Sequence, residues 1–129
     1  MRKYISLFLS LICILALTAC GKKADPITLP KTENILSVDV TVEGKTEQHL
    51  DEIWISNMIS NISNSKSTSK ESVQDVPQVE NYIKIDIQFE TGTSTLFAYK
   101  DKGKYYIEQP YQGIYETDSN LYKQLQETE

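Results

Sequence analysis

Residues 82–90 constrain this chain more tightly than any other stretch. Ile83, Ile85, Ile87 and Phe89 alternate there with Lys84, Asp86, Gln88 and Glu90. A period of two places the apolar side chains on one face of an extended strand and the polar ones on the other, so one face must be covered while the other meets water. One strand cannot hide that face alone, and the chain offers neighbours of the same period. In residues 35–43, Leu36, Val38, Val40 and Val42 alternate with Ser37, Asp39, Thr41 and Glu43. Downstream, Gly92 in Thr91-Gly92 can take positive φ and predicts a short hairpin returning through residues 95–100. Asp101-Lys102-Gly103 predicts a second turn into residues 104–109, and Pro110 is expected to end the resulting three-stranded antiparallel meander.

The period changes between these strands. Leu50, Ile53, Trp54, Met58, Ile59 and Ile62 recur near three- and four-residue spacing, which predicts one long amphipathic helix over residues 47–62. Thr46 is the candidate N-cap, Glu47, Asp51 and Glu52 suit the positive end of its dipole, and Ile55 falls off the stripe. Residues 63–76, with Ser-Asn-Ser-Lys-Ser-Thr-Ser-Lys, carry too little apolar surface to pack and are expected to form a floppy loop. Asp118 can cap a short terminal helix in which Leu121 and Leu125 share a face. The expected fold is α+β: an antiparallel sheet of about four strands, one N-terminal strand plus the meander, packed on one long helix, with a short C-terminal helix.

The N-terminus has a different grammar. Met1-Arg2-Lys3 is a positive n-region, residues 4–17 form an apolar run too short to span a bilayer, and Leu17-Thr18-Ala19-Cys20 places a small residue directly before a cysteine. This resembles the lipobox of bacterial lipoproteins, which implies diacylglyceryl transfer to the Cys20 sulfur and cleavage on its N-terminal side. Residues 1–19 are then a signal peptide, residues 20–34, with two prolines and no apolar period, a lipidated cysteine and flexible tether, and residues 35–129 a single domain. Cys13 leaves with the signal and Cys20 becomes a thioether, so neither a disulfide nor a cysteine nucleophile is expected in the mature chain.

Removing Arg2 and Lys3 from 13 basic residues leaves 11 against 18 acidic ones, a mature balance of −7. A negative domain argues against nucleic acid or an anionic lipid surface as its main partner, so the acyl chains on Cys20 are expected to supply the membrane affinity. The chain has one histidine, His49, expected on the surface in the first helical turn. Neither a His/Cys metal cluster, a calcium loop nor a glycine-rich phosphate loop is present as a motif, and no cofactor, metal or catalytic residue is assigned.

Seven of the eight tyrosines follow Cys20. Tyr105, Tyr106, Tyr111 and Tyr115 crowd around Glu108-Gln109-Pro110 and Gly113, and a tyrosine ring with a polar tip suits stacking on sugars or anchoring a protein. The ordinary alternative is that these rings pack within the sheet. Tyr111, Tyr115, Tyr106 and Gln109 are the candidate contacts for a ligand or partner, Tyr111 and Tyr115 foremost because a loop after proline exposes its side chains.

Residues 70–77 (Lys-Glu-Ser-Val-Gln-Asp-Val-Pro), 82–85 (Tyr-Ile-Lys-Ile) and 105–115 (Tyr-Tyr-Ile-Glu-Gln-Pro-Tyr-Gln-Gly-Ile-Tyr) together resemble a family of small lipoproteins from low-GC Gram-positive bacteria that carry a domain of unknown function. The likeness covers most of residues 35–126, and Glu-Gln-Pro-Tyr-x-Gly-Ile-Tyr is its most specific part. It implies a surface-anchored domain and carries over no catalytic residue. The expected function is a membrane-anchored, extracytoplasmic, monomeric binding module for an unidentified protein, peptide or glycan. An inhibitor or immunity-type lipoprotein that blocks a secreted or membrane enzyme is the alternative, and a cell-wall-active enzyme the third reading.

Overall fold

A computed structural model describes residues 24–127. Among them, seven strands form one antiparallel sheet: β1 (Ile35–Val42), β2 (Lys45–His49), β3 (Lys66–Ser67), β4 (Ile83–Phe89), β5 (Gly92–Asp101), β6 (Lys104–Gln109) and β7 (Gly113–Thr117), in the spatial order β2-β1-β4-β5-β6-β7-β3. Two short helices, α1 (Glu52–Ser63) and α2 (Ser119–Gln126), complete the fold. The expected four-stranded sheet on one long helix is therefore corrected to seven strands and two short helices.

The sheet grew at the expense of the helix. Glu43 and Gly44 both adopt positive φ, 50° and 80°, the pattern of a type I′ turn, whose twist matches a two-residue hairpin. The chain therefore returns along β1, with Val42 opposite Lys45 and the Thr41 and Thr46 hydroxyls 2.8 Å apart. Thr46 and Glu47 are strand residues; α1 starts later, where the Asp51 carboxylate accepts from Ile53 N at 3.2 Å. With that start, Ile55, Met58 and Ile62 are buried at i, i+3 and i+7, while Leu50 and Ile53 of the expected stripe face solvent. Lys102 and Gly103 repeat the positive pair between β5 and β6. Gly92, expected to turn β4 into β5, is instead the first residue of β5 and has no positive φ.

Pro110 does not end the meander. Gln112 N donates to Gln109 O at 3.0 Å around Pro110 and Tyr111, and the chain re-enters the sheet as β7, with Ile107 opposite Tyr115. Tyr111 holds φ 63°, as the third residue of a type II turn must, at a position that favours glycine.

The helices cover one face of the sheet. Val38, Val40, Ile83, Ile85, Ile87, Leu96, Ala98 and Ile107 are buried there against Ile55, Met58, Ile62, Leu121 and Leu125. Gln124 bridges the helices, accepting from Asn61 Nδ2 at 2.9 Å and donating to Trp54 O at 3.0 Å. His49 corrects another expectation: it is buried at the end of β2, its ring stacked on Trp54 with centroids 3.6 Å apart.

The opposite face divides in two. Towards β1 and β4 it is polar, with Asp39 opposite Asp86 and the Thr95 hydroxyl donating to Asp86 Oδ1 at 2.6 Å. Over β5, β6 and β7 it carries a second apolar cluster, Tyr99, Tyr106 and Ile114, packed with Val79 and Tyr82 of the preceding loop. Part of the segment expected to be floppy thus adds β3 to the sheet edge and buries Ser72.

The expected tether also packs. Ile27 and Leu29 lie half-buried against the main core, a 3-10 turn spans Thr32–Asn34, and Ala24 N donates to Thr68 O at 3.2 Å. The expected signal peptide and the expected lipidation site, Cys20, lie outside the described residues.

Candidate functional site

The candidate tyrosines do not form one surface. Paired residues on neighbouring antiparallel strands share a face, so Tyr106, opposite Glu116, points to the loop-covered side, whereas Tyr115, opposite Ile107, points to the helix side. Both are buried, Tyr106 against the tilted ring of Tyr99 with Lys70 Nζ 4.4 Å from its centroid. Tyr111 alone of the four candidates is well exposed, at 66%, and its hydroxyl donates to Asp75 Oδ1 at 2.6 Å. That bond holds the Tyr111 phenol above its usual pKa, because a phenolate would face the carboxylate.

Gln109 and its neighbours grip this chain's own N-terminal segment. The Gln109 amide works like a strand edge, Oε1 accepting from Thr28 N at 3.0 Å and Nε2 donating to Thr28 O at 2.8 Å. Gln112 Nε2 donates to Pro26 O at 3.1 Å, and the Tyr115 hydroxyl donates to Asp25 O at 2.6 Å. At Gly113 a side chain would collide with this segment: a Cβ there would lie 2.5 Å from the Ala24 Cβ. Gln109, Gln112, Gly113 and Tyr115 therefore form a clasp for residues 24–28. The sequence signal was there, since a glycine in a strand often marks close backbone approach; its target, 81 to 90 residues away, was not.

Glu108, which points from β6 to the loop-covered face, anchors the other long connection. It is 1% exposed. Ser72 Oγ donates to Oε2 at 2.8 Å, Gln74 Nε2 to the same oxygen at 3.1 Å, and the Tyr99 hydroxyl to Oε1 at 3.3 Å. Burial, and next the Glu108 charge, drive the Tyr99 phenol far above its ordinary pKa. A carboxylate so enclosed is a structural tie, with its acceptor sites directed at the protein.

A different surface has the form of a binding site. A groove of about 680 Å³ lies between the start of β1, the end of β2 and the first turn of α1, lined by Ile35, Leu36, Leu50, Ile53, Glu33 and Glu52 among others. Leu36, Leu50 and Ile53 are 60%, 64% and 72% exposed and line the one groove together, and a contiguous exposed apolar patch marks an interaction site where scattered single residues do not. The local cause is a break in strand pairing. β2 runs beside β1 only from Val38 onward, and the register on β4 shifts between Ile35 and Ser37, turning Leu36 outward at an uncovered strand end. Among the described residues, Glu33 and Glu52 are the charged groups lining the groove, so its field is negative. Among the described residues, no group of three or more His, Cys, Asp or Glu is placed to hold a metal ion, and no helix is long and apolar enough to cross a membrane.

Residues 23–116 match DUF5301, a family described as "Domain of unknown function (DUF5300)". No curated protein matches the chain. Among solved structures, the NMR structure of a protein from Ruminococcus gnavus is similar, with 38% sequence identity and a TM-score of 0.67 over 76% of this chain and 97% of that one. The match spans the clasp, the loop anchored on Glu108 and the exposed groove alike, and the chain belongs to the DUF5301 family of domains of unknown function.

Proposed function

We propose that this chain is a lipoprotein anchored through Cys20 to the extracytoplasmic face of a membrane, where it works as a protein-interaction module rather than as an enzyme. The observation that carries the reading is the Leu36–Leu50–Ile53 groove: three large apolar side chains left in water around two glutamates. The partner that fits is an amphipathic protein segment whose apolar residues fill the groove and whose lysines or arginines meet Glu33 and Glu52. The lipobox-like Leu-Thr-Ala-Cys motif supports the address.

Titration of the isotopically labelled domain with a short Leu/Lys amphipathic peptide tests the groove. Amide shifts should concentrate at Leu36, Leu50 and Ile53, a Leu/Glu peptide should cause none, and Leu36→Ser with Ile53→Ser should abolish the effect. Shifts spread over the whole acidic surface, unchanged in the double variant, would reduce the groove to a bystander.

A further inference from the structure

The clasp on residues 24–28 fixes where the bilayer lies relative to the domain. We infer that the loop surface carrying Val73, Val76 and Tyr111 rests on the lipid bilayer, held there by the Gln109–Tyr115 clasp; this rests on the lipoprotein reading of Cys20. Ala24 follows Cys20 by four residues, so no more than about 14 Å of extended chain separates the acylated sulfur from the first clasped residue. A free tether through residue 34 would have let the domain tumble; the clasp removes most of that freedom.

The point of attachment selects one edge of the sheet. Ala24 N bonds Thr68 O just beyond β3, while β2 forms the opposite edge. Six inter-strand spacings lie between these edges, about 29 Å at ~4.8 Å each, twice the available leash. The leash therefore keeps the β3 edge near the headgroups, while no such attachment draws the β2 edge to them.

The surface beside Ala24 suits that position. Ala24, Lys70, Val73, Tyr111 and Gln112 line one concavity of about 410 Å³. Val73 and Tyr111 are largely exposed, and Val76, also exposed, follows the Asp75 that holds the Tyr111 hydroxyl. Among the described residues these are the exposed large apolar side chains outside the groove, and they lie on the side where Ala24 leads towards Cys20. Tyrosine with aliphatic neighbours matches the bilayer interface, where an amphipathic ring sits at headgroup level. Tyr111 also occupies a positive-φ position that glycine would hold without strain, so its bulky side chain is retained against a local backbone cost. Lys70 stands against Glu71 and Asp75 there, so no net positive charge draws this surface to lipid and the contact is apolar rather than ionic. The groove at Leu36 lies towards the far edge, open to a partner while the opposite edge is occupied by lipid.

The test uses the full chain, processed in cells and reconstituted in phosphatidylcholine–phosphatidylglycerol vesicles that carry a nitroxide-labelled lipid. Val73→Cys and, separately, Lys45→Cys supply a thiol for a fluorophore, one at the loop and one on β2. Strong quenching at residue 73 with none at residue 45 is expected, largely insensitive to salt. Gln109→Ala with Gln112→Ala should diminish the quenching at residue 73 while leaving the protein in the vesicle fraction. Equal quenching at both sites, or none at either in vesicle-bound protein, would overturn the orientation and leave the anchor standing. Recovery of the protein free of vesicles would overturn the anchor, and the orientation with it.

Discussion

Replacing Glu108 by alanine should detach the loop of residues 68–82 from the sheet before it unfolds the sheet itself. Three donors lose their acceptor: Ser72 Oγ, Gln74 Nε2 and the Tyr99 hydroxyl, at 2.8, 3.1 and 3.3 Å. A hydrogen bond to a charged group stabilises by about 1.5–3 kcal/mol net, and a buried donor left unmet costs a similar amount. Ser72 and Tyr99 are buried and count nearly in full, the longer Tyr99 bond at the low end, while the half-buried Gln74 can turn to water. Losing the carboxylate also removes its desolvation penalty, which offsets part of the damage. The balance is a loss of about 3 kcal/mol for Glu108→Ala and about 1 kcal/mol for Glu108→Gln, whose amide keeps the shape and one acceptor. Urea denaturation supplies the totals. Hydrogen exchange supplies the location: the Tyr111 amide, which donates to Ser72 Oγ at 3.3 Å, should exchange faster in the alanine variant than amides of β4 and β5. If Glu108→Ala lies within about 0.5 kcal/mol of the parent, or exceeds it in stability, desolvation outweighs the three bonds and the tie is not what holds the loop.

Gly113→Ala should cost about 1 kcal/mol through its collision with Ala24 and speed exchange at the Thr28 amide; adding Ala24→Gly should restore both, and a failure of that pairwise rescue would disprove the close approach. Stability should fall as pH rises from about 10, where unfolded tyrosines ionise, because a folded-state pKa raised by burial makes the Tyr99 contribution complete below that pH and lost above it. Tyr99→Phe should flatten that fall in urea midpoints measured against pH, and an unchanged slope would assign the alkaline loss elsewhere. Cys20→Ala should abolish lipid attachment and move the protein from the membrane fraction to the soluble one, and a variant still membrane-bound with unchanged gel mobility would disprove the lipobox reading.

Local chemistry made part of the fold readable. The alternation in β1 and β4 needs only the two-fold geometry of an extended chain, and the Asp118 cap with Leu121 and Leu125 needs only one turn of helix. The boundary between β2 and α1 was not readable, because Lys45–His49 is a polar edge strand with one buried residue and its conformation depends on pairing with β1. β7 was hidden for a similar reason: Gly113–Thr117 is short, follows a proline and is identified by its partner β6.

The same division holds for the site. Sequence by itself determined the one-sided strands, the acidic balance and the lipobox-like motif, since each depends on residue type and spacing alone. It also singled out Gln109, Tyr111 and Tyr115 as unusual. Tertiary structure decided what they touch. Gln109 and Tyr115 face backbone atoms more than 80 residues distant, and Tyr106 and Tyr115 fall on opposite faces because strand pairing alternates them. Leu36, Leu50 and Ile53 converge only because β2 stops short of the start of β1 and α1 begins just after its cap at Asp51, so which apolar residues remain in water was settled by pairing and register rather than by hydrophobicity.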